Sequence, residues 1–423
     1  MSDKKFLPFV PVIVSTLLLF LPLAGSPARA STPVKVGAQV LTEHNFAELA
    51  GKRIGLITNR SALVAGRHVV QLMQANHNVT LAAIFAPEHG YRGLKEDGAT
   101  VGFRVDEQTG IPVYSLYGTT RKPTAEMLRG LDALVFDIQG VGARFYTFIS
   151  TMGLAMQAAA EAHVPFVVLD RPNPLGGEYV SGPVLEEAQL SFTGAYPIPI
   201  SYGMTVGELA LMIKGEQLLP GLTGLELRVI RMKGWRRSML WRETGLNWVR
   251  TSPNIPDSLT ALLYPGLCLF EGTAASIGRG TTEPFKLVGM PGIDAERFAA
   301  LLNNKQLPGV RFEPTRFTPQ SIPGMSSHPL YQDRELSGVR LVISDPQTFR
   351  SIETGVQVLS ALYGLLGAEA REHFFRPGGF DHLAGTAALR KAVEAGVPPE
   401  RIIADWHDQT ERFLEERQAY LLY

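Results

Sequence analysis

From residue 53 onward, unbroken apolar runs alternate with stretches whose apolar positions recur at helical spacing. The runs are "RIGLITN" (53–59), "TLAAIFAPEHG" (80–90), "IPVYSLYG" (111–118), "DALVFDIQG" (132–140) and "VPFVVLDRPNP" (164–174). A strand with one wet face alternates apolar and polar residues, so unbroken runs predict strands covered on both faces. Between them, "RHVVQLMQANHN" (67–78) and "FISTMGLAMQAAAEAH" (148–163) predict helices. The alternation predicts a doubly wound, parallel α/β sheet. "TVGELALMIKGEQ" (205–217) predicts a further helix, with Thr205 as N-cap and Glu208 completing a capping box, and "LELRVIRMKGW" (225–235) a further strand.

The pattern breaks in "TSPNIPDSLTALLYPG" (251–266), which carries Pro253, Pro256 and Pro265 and little periodicity. A boundary near Trp248–Pro256 divides a domain over 33–250 from a smaller one over 251–423. In the second, "DAERFAALLNNKQ" and "SIETGVQVLSALYGLLG" predict helices and "VRLVISD" a strand between them. The terminal "DWHDQTERFLEERQAYLLY" predicts an amphipathic helix whose charges form a solvated face.

Ahead of the first strand, Asp3-Lys4-Lys5 precedes "FLPFVPVIVSTLLLFLPLAG" and then Ala28-Arg29-Ala30. A basic start, an apolar middle and an A-x-A exit predict a secretory signal over 1–30, cleaved after Ala30. The mature chain is then periplasmic or secreted, with no stable membrane insertion. The rival is an uncleaved anchor; the prolines and small-residue exit favour cleavage.

Composition removes several function classes. Lys+Arg and Asp+Glu balance at 40 each, so no global field recruits nucleic acid. Cys268 is the only cysteine, which excludes an internal disulfide, and its apolar neighbours "GLCLF" predict a buried, inert thiol. "GLITNRSAL" stands where a dinucleotide fold would carry G-x-G-x-x-G, and no G-x-x-x-x-G-K-[ST] occurs. The nine histidines include no H-E-x-x-H. No metal or other cofactor is expected.

Polar residues gather at the predicted carboxyl ends of strands: Thr58-Asn59, Glu88-His89, Asp137 with Gln139, and Asp170-Arg171 with Asn173. In open parallel sheets that edge binds ligands. Carboxylates in motif-like loops (Glu88, Asp137, Asp170, Glu271, Glu283) suit glycoside hydrolysis, in which one carboxylic acid protonates the leaving oxygen and a second carboxylate attacks or activates water. Each taken alone is also readable as an arginine partner or a cap. "AASIGRG" (274–280) resembles a G-x-S-x-G nucleophile elbow around Ser276, against a simpler reading as a glycine-rich loop whose hydroxyl bonds its own backbone.

Seven motifs run in one order: "GLITNRS", "FAPEHGYRG", "FDIQGVGARFYTF", "LDRPNPLGG", "SPNIP", "YPGLCLFEGT" and "SIGRGTTEPF". In this the chain resembles a family long filed as a domain of unknown function. Its characterised members are exo-β-N-acetylmuramidases, which remove terminal N-acetylmuramic acid from the non-reducing ends of peptidoglycan fragments. The resemblance implies a Rossmann-like domain, a smaller α/β domain and an active site in the cleft between them. It implies Glu88 of P-E-H-G as catalytic acid/base, with His89 either tuning it or satisfying the loop. The second group is Glu271 of E-G-T, ranked ahead of Glu283 because the following glycine lets backbone approach a ligand. Alternatively the substrate's own acetamido group attacks, with Asp137 or Asp170 orienting it.

Among Arg92, Arg144, Arg171 and Arg279, the resemblance points to Arg144 or Arg279 as the partner of the muramic acid carboxylate, against a structural Arg–Asp pair for two of the four, for instance Arg171 near Asp170. Tyr146 suits stacking on a sugar ring or equally filling the helix–sheet core, and Asn173 and Asn254 suit its hydroxyls or a turn beside proline. Asn59, Gln139, Ser276 and Thr281 complete the candidate substrate contacts. Two positions depart from the family pattern, Gly140 after D-I-Q and Lys286 after P-F, and both bear on which aglycone is accepted. The rival readings are a serine esterase or amidase built on Ser276, and a cell-wall glycan-binding protein without catalysis.

Overall fold

The apolar runs become neighbouring strands of one sheet. These are β1 (Arg53–Thr58), β2 (Thr80–Ala86), β3 (Arg104–Val105), β4 (Pro112–Ser115), β5 (Ala133–Asp137), β6 (Phe166–Leu169) and β7 (Leu227–Ile230). The computed structural model describes residues 1–5, 7, 33–92 and 103–423. The expected signal's apolar stretch, its cleavage position at Ala30 and Gly93 lie outside the described residues.

The strand order is β7-β6-β5-β1-β2-β4-β3. Every pairing is parallel except that of β3 with β4. Strands β5 and β6 are buried along their whole length, as their unbroken apolar sequences require. The chain leaves β1 toward β2 and β4 and then returns to the other side through β5. The strand order therefore reverses between β1 and β5, where Thr58 pairs with Asp137.

Local signals explain the helices that position the site. The helix Phe148–Glu161 forms where expected, and its small and apolar residues bury most of its surface. The helix Val206–Gly215 carries the expected capping box: Thr205 Oγ1 accepts from Glu208 N–H at 3.2 Å, and Glu208 Oε2 accepts from Thr205 N–H at 2.9 Å. The helix expected over 67–78 is shorter, Val69–Gln74, because Leu63–Val64 and Arg67–His68 form a small hairpin ahead of it. Gly66 closes that hairpin at a φ of 80°, which only glycine adopts without strain.

The proline-bearing stretch is not irregular throughout. It contains the helix Ser258–Leu267, capped by Asp257, whose side chain accepts from Thr260 N–H at 2.7 Å. This helix lies backbone to backbone against Ser351–Leu365. A Cβ on Gly266 would sit 2.0 Å from Ser351 O, and one on Gly355 would sit 2.5 Å from Gly266 O. The strand expected around 339–345 is the middle of a three-stranded antiparallel sheet, Leu287–Met290, Leu336–Ile343 and Val310–Phe317 in spatial order. Val310–Phe317 escaped the sequence reading because Pro314 interrupts it. As an edge strand it tolerates the missing N–H.

The terminal helix, His407–Glu416, is only partly a solvated face. Arg417 just beyond it is buried and donates to Gly177 O (3.0 Å), Tyr202 O (3.2 Å) and Gly203 O (2.6 Å). Tyr423 then donates its hydroxyl to Asp170 Oδ2 at 2.7 Å, beside the end of β6. No described helix is long and apolar enough to cross a membrane.

Candidate active site

A cavity of about 610 Å³ opens on the carboxyl side of the parallel sheet, within the size range of small-molecule sites. The loop after β2 supplies Glu88 and His89, the loop after β4 Tyr117 and Arg121, and the segment after β5 Phe145 to Phe148. From the second half of the chain come Tyr264, Cys268, Glu271, Ser276, Arg279 and Arg376.

Glu88 is aimed by a strained corner. Strand β2 ends at Ala86, and His89 and Gly90 follow at φ of 68° and 76°. A non-glycine residue held there costs of order 1–3 kcal/mol, a pattern that concentrates at functional sites. Thr147, at the amino end of Phe148–Glu161, donates its hydroxyl to Glu88 Oε2 at 2.7 Å. The carboxyl is thus tied to a helix whose apolar face is locked in the core.

Glu271 sits in the tight turn Cys268–Gly272. Arg279 Nε lies 2.8 Å from its Oε1, and Cys268 Sγ lies 3.5 Å from its Oε2. Arg376 pins the same turn by donating to Glu271 O (3.0 Å) and Thr273 O (2.6 Å). Gly272 serves packing: a Cβ there would sit 2.4 Å from Phe380 Cα, so its role is not to admit a ligand. Burial pushes the Cys268 thiol and the Tyr264 phenol well above their ordinary pKa values, so both are neutral beneath Glu271.

Of the residues singled out from sequence, Glu88, His89, Tyr146, Glu271, Ser276 and Arg279 line this cavity. The others are engaged elsewhere. Asp137 is buried in a bidentate pair with Arg171, at 2.5 Å (Nε to Oδ1) and 3.1 Å (Nη2 to Oδ2). Asp170 is buried and accepts from Arg171 N–H, Gly207 N–H, Thr205 and Tyr423. Asn59 Oδ1 accepts from Ser61, and Gln139 donates to Pro172 O and Gly140 O. Asn173 bridges Met204 O and Leu175 N–H, and Asn254 donates to Met325 O.

Arg144 is sealed from solvent and donates to Pro183 O (2.7 Å), Ile198 O (2.8 Å) and Leu383 O (3.0 Å). Burial pushes its pKa down to about 9, which leaves it cationic at neutral pH. Arg92 pairs with Asp106 at 2.7 Å, and Glu283 with Arg340 at 2.7 Å. Thr281 donates to Gly278 O. The two departures from the family pattern also lie off the cavity: Lys286 pairs with Asp257 at 2.7 Å, and Gly140 has open space at its Cβ position.

Ser276 lines the cavity, yet its Oγ accepts from Gly278 N–H at 3.3 Å and its main chain bridges to Gly289. Turn residues follow it, not the helix that a nucleophile elbow requires. Sequence reasoning missed Thr147, Arg121, Phe192 and Arg376. Thr147 stands inside "GARFYTF" just ahead of a predicted helix, so a cap signal was available. The rest carry no local signal. Among the described residues no group of three or more His, Cys, Asp or Glu could hold a metal ion.

Comparison with known proteins finds similarity along nearly the whole chain. Residues 54–259 match the N-terminal part of the exo-β-N-acetylmuramidase NamZ family, and residues 262–423 match its C-terminal part. The chain is 43% identical over 391 residues to the peptidoglycan β-N-acetylmuramidase NamZ of Bacillus subtilis strain 168, covering 92% of this chain and 91% of that one. Two crystal structures of DUF1343 family proteins from Bacteroides fragilis NCTC 9343 are similar. One has a TM-score of 0.85 at 39% identity and covers 93% of this chain and all of its own. The other has a TM-score of 0.75 at 36% identity and covers 93% and 99%. The chain belongs to the NamZ exo-β-N-acetylmuramidase family.

Proposed function

We propose that this protein is an exo-acting glycoside hydrolase that releases N-acetylmuramic acid from the non-reducing ends of peptidoglycan fragments. The observation that carries the reading is a cavity on the carboxyl side of the sheet that, among the described residues, two carboxyls line. Glu88 accepts from the Thr147 hydroxyl, and Glu271 lies against the Arg279 guanidinium. Glycoside hydrolysis needs two such groups, one to protonate the leaving oxygen and one to act as an anion or base.

In this mechanism Glu88 protonates the glycosidic oxygen as the bond to the anomeric carbon breaks. The Glu271 carboxylate, held in place by Arg279, stabilises the positive charge that develops on the sugar ring. Water, or first the substrate's own acetamido group, takes the anomeric carbon. After attack by the acetamido group, Glu88 accepts the proton of the water that opens the intermediate; in direct attack from the opposite face, Glu271 accepts it. The basic, apolar and A-x-A sequence of residues 1–30 supports export, with action in the periplasm or outside the cell.

The test is to incubate residues 31–423 with muramic acid-β-1,4-N-acetylglucosamine and a chromogenic β-muramide, following free sugar and its first anomer by NMR. Release of N-acetylmuramic acid is expected. Absence of turnover with sugar still bound would instead identify a glycan-binding protein. Ser276→Ala is expected to keep activity within about twofold, since its hydroxyl serves a turn; loss of all activity would move the chemistry to the serine. Thr147→Val is expected to lower kcat about tenfold with little change in KM, because it removes one hydrogen bond that aims the Glu88 carboxyl. An unchanged kcat would show that the hydrogen bond has no catalytic role.

A further inference from the structure

We propose that Arg121, held over Phe192 at the cavity's edge, is the residue that reads the free carboxylate of the terminal sugar. This rests on the muramidase reading above. Muramic acid differs from glucosamine by a lactyl ether ending in a carboxylate, so selecting it calls for a cation.

Among the described residues three arginines line the cavity, Arg121, Arg279 and Arg376. Arg279 is paired with Glu271, and Arg376 is engaged with two carbonyls of the Glu271 turn. Arg144, which the resemblance favoured alongside Arg279, is enclosed away from the cavity by three carbonyls. Arg121 is exposed, and no carboxylate among the described residues pairs with it.

Its guanidinium is nevertheless placed. The carbon at its centre lies 4.5 Å from the centroid of the Phe192 ring. That ring packs against Tyr117 at 6.1 Å, so the loop carrying Arg121 and the loop carrying Phe192 brace one another. Ser115, at the end of β4, bonds Tyr117 N–H at 3.2 Å, and Ser191 and Gly194 exchange main-chain hydrogen bonds across Phe192. Stacking on an aromatic face restrains a guanidinium while leaving its in-plane N–H fork free for a bidentate carboxylate. A lysine would offer a point charge without the fork.

The carboxylate could belong to the lactyl group or to a peptide attached to it, and the two are separable by binding. Calorimetry would compare N-acetylmuramic acid, its lactyl methylamide, N-acetylmuramoyl dipeptide and N-acetylglucosamine on the wild type, Arg121→Gln, Arg121→Lys and Phe192→Leu. The wild type is expected to bind the free acid about ten- to a hundredfold more tightly than the methylamide or N-acetylglucosamine. Arg121→Gln should erase that margin while leaving the two neutral sugars unchanged. Arg121→Lys should restore part of it, and Phe192→Leu should lose part of it.

An unchanged margin in Arg121→Gln, no margin in the wild type, or an equal loss for acid and neutral sugars would overturn the assignment. A loss confined to the dipeptide would also overturn it, since the carboxylate read would then be the peptide's. The readout needs no turnover. A wild type that discriminates as expected but releases no sugar sinks the hydrolase reading alone, and a competent enzyme whose discrimination ignores Arg121 sinks this inference alone.

Discussion

Glu88→Gln is expected to lower turnover of the natural disaccharide by about a hundred- to ten-thousandfold while leaving affinity for N-acetylmuramic acid within a fewfold. Removing a positioned general acid typically costs 10²–10⁴-fold. The amide is nearly the same size as the carboxyl, and its oxygen can still accept the Thr147 hydroxyl bonded at 2.7 Å in the wild type. The corner at His89 and Gly90 is undisturbed. Loss of rate therefore reports loss of the proton and not of the architecture.

A second readout separates an acid from a merely nearby carboxyl. A nitrophenyl aglycone leaves as a weakly basic anion that needs no proton, whereas a sugar alkoxide needs one. Glu88→Gln should consequently impair the disaccharide much more than the nitrophenyl muramide. Equal loss on both would remove Glu88 from the leaving-group step. Loss on neither would remove it from catalysis altogether and leave Glu271 as the group to test.

Arg171→Met is expected to destabilise the fold by about 3–5 kcal/mol, because it abandons a buried carboxylate. Asp137 is wholly enclosed and Arg171 nearly so, and the two bond through both oxygens. They sit where β1 and β5 part, with Thr58 donating to Asp137 O at 3.1 Å and the Asp170 network adjoining through Arg171 N–H. The double change Asp137→Leu with Arg171→Met should cost less than Arg171→Met alone, since it removes the stranded charge with its partner. Urea unfolding of the set measures this.

The folded fraction of Arg171→Met should retain kcat/KM within about threefold, because neither residue lines the cavity. A stability close to wild type would mean that water reaches Asp137 and that the pair is not sealed. Normal stability with lost activity would assign Arg171 to the substrate instead.

The elements were legible wherever one local signal decided them. Unbroken apolar runs mark buried strands because nothing else tolerates that much hydrophobicity in so short a length. Thr205 and Glu208 mark a helix start because both partners of the capping box lie within one turn. Glu88 was legible as a strand-tip carboxyl in a distinctive motif, and the seven ordered motifs carried the family. Val310–Phe317 was not legible, because whether proline is allowed depends on which edge of a sheet a strand occupies.

The division of the strand-tip polar residues into chemistry and scaffold was not a local matter. Asp137, Asp170, Asn173 and Arg144 look as functional in sequence as Glu88 does. Their partners are Arg171, Tyr423, Met204 and Leu383, the last reached across 239 residues and Tyr423 across 253. A buried polar group must be satisfied, and what satisfies it is whatever the fold brings alongside. The same holds for the cavity's other wall: Glu271 and Arg279 face Glu88's side of the chain only because the second half packs against the first. Local sequence sets propensity and names the carboxyls. Long-range packing selects which of them stay open to the cavity.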